Sequence, residues 1–582
     1  MTAPFVLIDD QRPDGHATLY RDPVRVVQAD TPADIPLLLD ALRQARADGL
    51  HAAGYLAYGA GAALEPRLMT AGVAGMPLGW FGLFAHGEPV VAADWLPDPA
   101  GAATGPVVPR IAFPDYTAAF EQVQAGIASG DIYQANLTFP ADIRVAGDPL
   151  ALYARLRAAA GGGWGALVWD GARHLLSCSP ELFFTVVGDR LTARPMKGTA
   201  TRDPDPARDA AAASDLATDP KQRAENLMIV DLLRNDMARV AVAGSVAVPD
   251  LFTVETYPTI HQLTSTVTAT LAPGRDAVDV LAATFPCGSV TGAPKIRAME
   301  IIAAVEPWPR GVYTGSIGAI APDGDAAFNV AIRTLRIDAG TATAMMGLGS
   351  GIVADSNVAA EWAEAQAKAR FVGTGARPFD LIETMRFDPL EGLCNLDLHM
   401  ARLERSCAAL GFAFDRHDVR NELQAATFRL ESDMRVRLML ARSGAVSIVA
   451  TPLPLTPPGP VGVAIVPLPV DPSDFRLTHK TSDRVFYDAA RAAAGTWEVL
   501  FERPDGRLTE GSFTSLFVGS AAAPLQTPAP DGGLLPGVLC THLLKEGRAE
   551  TATLTRDDLR NGFFVGNAVR GLIVARLVPS TG

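Results

Sequence analysis

Three groups of side chains in this 582-residue sequence could do chemistry by type and spacing. The first is Lys197, in Arg194-Pro195-Met196-Lys197-Gly198-Thr199. A lysine is protonated at neutral pH and becomes a nucleophile only where burial or nearby positive charge lowers its pKa. Taken alone, this stretch is a surface lysine ahead of a Gly-Thr turn. The second group is acidic. Glu361, Glu364 and Lys368 fall at i, i+3 and i+7 on one helix face after a cap in Asp355-Ser356-Asn357, and Glu225 opens the helical run Glu225-Asn226-Leu227-Met228-Ile229-Val230-Asp231. Mg²⁺ takes one or two carboxylates together with substrate oxygens and water, so glutamates from two helices suit it; the alternative is a pair of solvated Glu/Lys faces. The third group is Lys480, in Thr478-His479-Lys480-Thr481-Ser482-Asp483-Arg484, with Glu510 in Leu508-Thr509-Glu510-Gly511-Ser512. An amine that bonds an aldehyde and an acid beside a pyridine nitrogen are the pair that pyridoxal phosphate requires. Without context, each is ordinary surface charge.

Two glycine-rich stretches do not read as nucleotide loops. Gly288-Ser289-Val290-Thr291-Gly292-Ala293-Pro294-Lys295 lacks the Walker spacing, because Ala293-Pro294 separates the second glycine from the lysine. Gly347-Leu348-Gly349-Ser350-Gly351 is not G-x-G-x-x-G, and its glycines instead suit a close approach of backbone N–H groups to an anion.

The elements that must carry these groups are mixed. Strand-like alternation at 182–187 and 344–346 is interleaved with amphipathic helices at 224–239 and 359–371, which predicts an α+β fold rather than a bundle. A Gly/Pro stretch at 373–378 follows the second helix and reads as a linker, giving a first domain over 1–372 and a second over 379–582. The second opens with a helix near 399–410 and passes through a Pro-rich stretch, 452–472, that reads as a join between sub-domains. It then forms a hairpin of 497–501 and 508–518 turning through Pro504-Asp505-Gly506. With 48% hydrophobic residues the chain can bury two or three cores, and its net charge of −14 argues against a nucleic-acid or membrane-surface binder. The five cysteines form no C-x-x-C pair, and no basic leader or long apolar run is visible, so a cytoplasmic protein without zinc or disulfides is expected.

Read together, the first-domain motifs resemble the chorismate-utilising enzymes, the family of anthranilate synthase, aminodeoxychorismate synthase and isochorismate synthase. The resemblance spans 21–370. It rests on Gly130-Asp131-Ile132-Tyr133-Gln134, Ser179-Pro180-Glu181, the Lys197 stretch, 225–236, His261-Gln262-Leu263, 287–295, 328–334 and 361–368. It implies an anthranilate synthase component I-like α/β sandwich in which Glu225 and Glu364 bind Mg²⁺ with Glu361 in support. Glu181 would act as acid/base at the ring, and Arg333 with the 347–351 backbone (Gly347, Gly349) would hold a carboxylate. Gln134, Thr291, Gly292 and Lys368 would line the substrate site. Isochorismate-forming members carry a lysine base where this chain has Gln134, and anthranilate synthase carries alanine where it has Lys197. Lysine there resembles component I of aminodeoxychorismate synthase, which implies covalent attack on chorismate C2 and amination at C4. Met196, where isoleucine is commoner, is a packing change.

The second domain resembles the fold-type IV pyridoxal phosphate enzymes, which include D-amino-acid aminotransferase and aminodeoxychorismate lyase. The matching residues are Asp397-Leu398-His399 with Arg402-Leu403, the Lys480 stretch, 510–517, Leu534-Leu535-Pro536-Gly537-Val538 and 566–572. It implies a two-subdomain α+β unit in which Lys480 carries the cofactor, Glu510 faces its ring nitrogen and Arg402 contacts its phosphate. Two departures are visible: the domain begins abruptly at Phe379, and Ser515 stands where asparagine is common. Fusion to an aminodeoxychorismate-forming domain favours the lyase reaction, leading to 4-aminobenzoate for folate; an aminotransferase or a silent assembly domain is the alternative. No Cys/His glutaminase signature is seen, so ammonia is expected from a separate glutamine amidotransferase subunit. The second domain's relatives imply a homodimer.

Overall fold

In the computed structural model, the described residues are 3–12, 15–65, 67–68, 75–256, 260–520, 524–530 and 533–579. They form two compact units that divide between Gly375 and Ala376, within the 373–378 stretch. The units are not contiguous in sequence, since Pro97–Pro106 and Arg144–Leu152 belong with the C-terminal unit although they fall inside 1–372. Among the described residues no helix is long and apolar enough to cross a membrane.

Among the described residues, the first unit is built on two ten-stranded sheets. One runs from Gln134–Gly147 through Thr343–Ile352, Thr334–Asp338, Arg173–Ser179 and Trp164–Trp169 to Phe5–Asp10 and Ala17–Arg21. The other carries Met196–Thr201, Ile260–Thr270, Arg190–Arg194, Leu182–Val187, Ala326–Val330, Ser316–Ile320 and His51–Leu56 in that order. Side chains from both sheets, among them Val6, Tyr55, Trp80, Val168 and Ile317, close into one core. On the other face of the second sheet, helices Asp34–Ala47, Pro220–Ala238 and Ala277–Thr284 bury Leu38, Ile229, Leu233 and Leu281. Alternation of side chains across a pleat explains how one strand serves both cores.

The helix bearing Glu225 starts earlier than its apolar pattern suggests. Asp219 caps it by accepting from the Gln222 N–H at 2.8 Å, with Pro220 at the first helical position, where a missing N–H costs nothing. Asn357 caps Val358–Ala367 by accepting from the N–H groups of Ala359 and Ala360, both at 3.1 Å. The helix expected over 359–371 therefore ends at Ala367 and continues only as a 3₁₀ turn, Arg370–Val372.

The second unit has a four-stranded antiparallel sheet that includes Leu381–Asp388 and Met434–Leu440, covered by helices Leu396–Leu410 and Arg416–Thr427. Its other sheet has eight strands among the described residues. Two expectations are corrected here. The Pro-rich passage contains a strand, Val461–Pro467, lying parallel between Glu498–Glu502 and Gly571–Leu577 with Val461 and Val463 buried. The second arm of the hairpin, read as 508–518, is two strands. Leu508–Gly511 pairs with Glu498–Glu502, whereas Ser515–Val518 pairs with Phe563–Asn567. Glu498 causes the break: its carboxylate accepts from the Ser512 and Phe513 N–H groups at 3.0 and 3.2 Å and from the Ser512 and Thr514 hydroxyls at 2.6 and 2.8 Å. A buried carboxylate needs such donors, and these turn the chain out of the ladder.

Candidate active sites

Lys197 lies on Met196–Thr201 in a β-bulge. Met196 faces Thr264 and Thr199 faces Gln262, so Lys197 and Gly198 together oppose Leu263. Gly198 has φ 95°, and a Cβ there would stand 3.0 Å from Gln222 Oε1, so glycine is required. The Lys197 amine reaches across to Thr343–Ile352, where a Cβ on Gly351 would lie 2.8 Å from Nζ and 2.9 Å from Gln134 Nε2. Burial lowers the pKa of this lysine and Lys368 lowers it further, against Glu225, Glu181 and Glu364. A lysine so placed holds its neutral, nucleophilic form at a lower pH than a free one.

Around it stand polar groups without protein partners. Gln134 is fully buried, and neither its amide oxygen nor its nitrogen has a hydrogen-bond partner. Glu181 is 3% exposed with Oε1 unpartnered, and burial pushes its carboxyl up to about 7 against the Ser289 hydroxyl, Lys197 and Lys368. Orphaned buried polar atoms facing a reactive amine are the expected trace of a polar ligand. Glu181 is held by its own backbone, whose carbonyl accepts from Val330 N–H at 3.1 Å. Arg333 has a left-handed backbone, φ 49°, and its carbonyl accepts from Cys178 N–H at 3.1 Å, just before the turn to Glu181.

The remaining sequence-predicted residues fall into distinct roles. Thr291 is buried and its hydroxyl donates to the carbonyls of Cys287 and Gly288 at 3.2 and 3.1 Å, while Gly292 lets its strand lie against Gln134–Gly147, where a Cβ would stand 2.2 Å from the Gln134 carbonyl oxygen. Gly347 packs beneath the Tyr313 ring and Gly349 against Leu137 and Thr138; the Gly349 carbonyl accepts from Lys368 Nζ at 2.9 Å. Lys368 also pairs with Glu364 at 2.9 Å. Glu361 Oε1 accepts from Ser356 at 2.7 Å, leaving Oε2 buried without a partner. Burial raises Glu225, helped by the negative charges of Glu361 and Glu364, whereas Lys368 overcomes burial at Glu364 and lowers it. Among the described residues no three carboxylate, imidazole or thiol groups gather tightly enough to hold a metal ion, so the expected Glu225, Glu361 and Glu364 set is not a preassembled cage. The charge and the orphan Glu361 oxygen fit Mg²⁺ that takes its other ligands from substrate and water.

Motif reading missed the side chains beneath Lys197. Asn226 Nδ2 donates to the Lys197 carbonyl at 3.4 Å, Gln262 Nε2 donates to the Gly198 carbonyl at 2.7 Å, and Ser265 donates to Asn226 Oδ1 at 2.6 Å. Their only sequence signal was position, Asn226 beside Glu225 and Gln262 inside His261-Gln262-Leu263. A buried pair, Arg310 and Glu306, braces the same wall: Arg310 donates to Glu306 twice at 2.8 Å and to the carbonyls of Asn136 and Val290 at 2.7 and 2.9 Å.

In the second unit Lys480 Nζ lies 3.4 Å from Thr384 Oγ1, and burial and Arg402 bring its pKa down to about 7. Glu510 accepts from Tyr487 OH at 2.8 Å and Leu535 N–H at 3.1 Å, both on Oε1; burial lifts it to about 7 despite those bonds. Arg402, expected at a phosphate, donates to both oxygens of buried Glu383 at 2.9 and 2.6 Å and to the Pro536 carbonyl at 3.3 Å, leaving part of its donor fork uncommitted. Burial would raise Glu383, but Arg402 and His399 outweigh it and hold it well below the usual carboxylate range. A half-neutral buried amine, a buried acid with one oxygen uncommitted and an anchored guanidinium fit pyridoxal phosphate.

Two family models divide the chain. Chorismate binding enzymes match residues 3–373 and class IV aminotransferases match residues 380–578. The first match alone covers more than half of the sequence, and the chain belongs to the chorismate binding enzymes. Its C-terminal part is a class IV aminotransferase domain. Aminodeoxychorismate synthase component 1 of Salmonella typhimurium is 46% identical over 252 residues, 43% of this chain and 55% of that protein. Anthranilate synthase component 1 of Haloferax volcanii is 41% identical over 256 residues, 44% of this chain and 49% of that protein. The match thus spans about half the length of these curated relatives. Anthranilate synthase component I from Streptococcus pneumoniae shares the fold with a TM-score of 0.51 at 27% identity, over 64% of this chain and 92% of that one.

Proposed function

We propose that the chain makes 4-aminobenzoate from chorismate in two steps, as an aminodeoxychorismate synthase component I joined to an aminodeoxychorismate lyase. The observation that carries this reading is Lys197 beside Glu181 and unpartnered Gln134, with its pKa lowered by burial and Lys368. Neutral Lys197 Nζ attacks chorismate C2; the C2–N bond forms as the C4–O bond breaks, and the hydroxyl leaves as water with the proton of Glu181. Ammonia then bonds to C4, the C2–N bond breaks and the amine returns to Lys197. Glu181, half protonated near neutrality, is poised for that transfer. Gln134 replaces the base that would activate water, so it binds substrate without hydroxylating it. Mg²⁺, held by Glu225 and Glu364 with Glu361 in support, would neutralise a substrate carboxylate.

In the second unit, pyridoxal phosphate when bound supplies the electron sink for losing pyruvate. Glu510 would face its ring nitrogen and favour the protonated form, Tyr487 orients Glu510, and Glu383 sets the Arg402 fork that would hold the phosphate. Lys480 Nζ would hold the cofactor, and its amine, with a pKa brought down to about 7, would be the base that takes the ring proton whose loss makes the ring aromatic. We infer that ammonia comes from a separate glutamine amidotransferase subunit and that the enzyme works in the cytoplasm. The test uses Lys480→Ala in the full chain with chorismate, ammonium, Mg²⁺ and pyridoxal phosphate. The reading predicts accumulation of 4-amino-4-deoxychorismate without pyruvate; undiminished pyruvate release, or amino transfer to a 2-oxo acid by the parent chain, would overturn the lyase step.

A further inference from the structure

The bulge at Lys197 is held from below by two side-chain amides, one on each of its carbonyls. Asn226 takes the Lys197 carbonyl at 3.4 Å and that of Leu263, the residue opposite the bulge, at 3.3 Å. Gln262 takes the Gly198 carbonyl at 2.7 Å, and its own oxygen accepts from Thr199 Oγ1 at 3.0 Å. Ser265, fully buried, fixes the Asn226 amide by donating to its oxygen at 2.6 Å. Every polar atom of the Asn226 amide is thus spent on the two strands around the bulge, and its helix is the one that presents Glu225. In a regular ladder the carbonyls of Lys197 and Gly198 would point alternately to the neighbouring strand, and Lys197 would be turned away from Gly351.

We propose that Asn226 and Gln262 are positioning residues for the amination of chorismate, holding the bulge so that the Lys197 amine stays over Gly351 beside Gln134. This rests on the reading of Lys197 as the attacking group. The two amides make no use of the substrate; they act through the backbone that carries the lysine, and Asn226 ties that backbone to the helix of the proposed metal carboxylate. Displacing a reacting nitrogen by about 1 Å costs on the order of 100-fold in rate, which sets the expected effect.

The test uses the full chain with Gln262→Met and Asn226→Leu, which keep volume and remove the donors, and with Gln262→Glu, which keeps the acceptor for Thr199 but loses the donor to Gly198. Thr199→Val serves as a milder change should either of the first two fail to fold, and circular dichroism with thermal unfolding of the full chain controls for folding. Two readouts are taken: kcat and KM for chorismate with ammonium, and the pH dependence of Lys197 acylation by acetic anhydride, followed by peptide mass spectrometry. The expected result is a fall in kcat of about 100-fold with little change in KM, and an acylation midpoint moved up towards that of an ordinary lysine. A folded Gln262→Met chain with kcat and midpoint both like the parent would overturn the proposal. A moved midpoint with unchanged kcat would support the clamp and overturn the role of Lys197 as nucleophile, so the two failures are distinguishable.

Discussion

Lys197 Nζ stands 2.8 Å from the point where a Cβ on Gly351 would be, and Gln134 Nε2 stands 2.9 Å from that same point. Both polar side chains therefore rest on the space left by one missing methyl group. Replacing Gly351 by alanine should push the amine and the amide off their positions, lowering chorismate turnover by about 100-fold while leaving pyruvate release from supplied 4-amino-4-deoxychorismate unchanged. Assaying the halves separately checks this.

The pH dependence of the first step follows from Glu181. Its carboxyl, raised to about 7 by burial, must hold a proton to act as the acid. That contribution is complete below the raised pKa and is lost as pH climbs through it, so turnover should fall on the alkaline side near pH 7. Lys197 must be neutral, which supplies the acid limb. The Ser289 hydroxyl lowers the Glu181 pKa. Ser289→Ala should therefore move the alkaline limb to higher pH; a limb that stayed in place or moved down would remove Glu181 from the acid role.

Tyr487 is predicted to act on the second unit through Glu510. Its hydroxyl bond to Oε1 opposes the burial that raises the acid. Tyr487→Phe should raise the Glu510 pKa further and weaken pyridoxal phosphate binding several-fold, seen in an absorbance titration. Glu510→Gln should cost lyase turnover about 100-fold or more, with chorismate consumption unaffected.

Arg310 and Glu306 predict a stability effect. Both are buried, and Arg310 ties the Asn136 carbonyl of the Gln134 strand to the carbonyl of Val290. Arg310→Leu removes the ion-pair partner of buried Glu306 and leaves it only the Thr138 N–H, which costs about 3–5 kcal/mol. A thermal scan should show the variant melting earlier than the parent chain.

Much of both sites was legible because their residues sit in short windows with distinctive chemistry. Lys197 Nζ and Gln134 Nε2 lie together at Gly351 with Glu181 close enough to act on the lysine's charge, and the strand 182–187 is found as Leu182–Val187. What stayed hidden depends on partners far along the chain. The break after Leu508–Gly511 comes from Glu498, and the buried strand Val461–Pro467 lies inside a Pro-rich passage because Glu498–Glu502 and Gly571–Leu577 pair with it. The bulge at Lys197 is set by Gln262 and Asn226, whose roles no local pattern reveals. Segments 97–106 and 144–152 join the second unit by tertiary packing, with Ala103 and Ala146 in the same core as Leu381 and Leu403.

The central claim is that one chain carries chorismate through both steps. Purified full chain should be incubated with chorismate, ammonium and Mg²⁺, with and without pyridoxal phosphate, and the products separated by chromatography. The account predicts 4-aminobenzoate and pyruvate in equal amounts with the cofactor, and 4-amino-4-deoxychorismate alone without it. Anthranilate as the product, or no aromatic product under either condition, would contradict it.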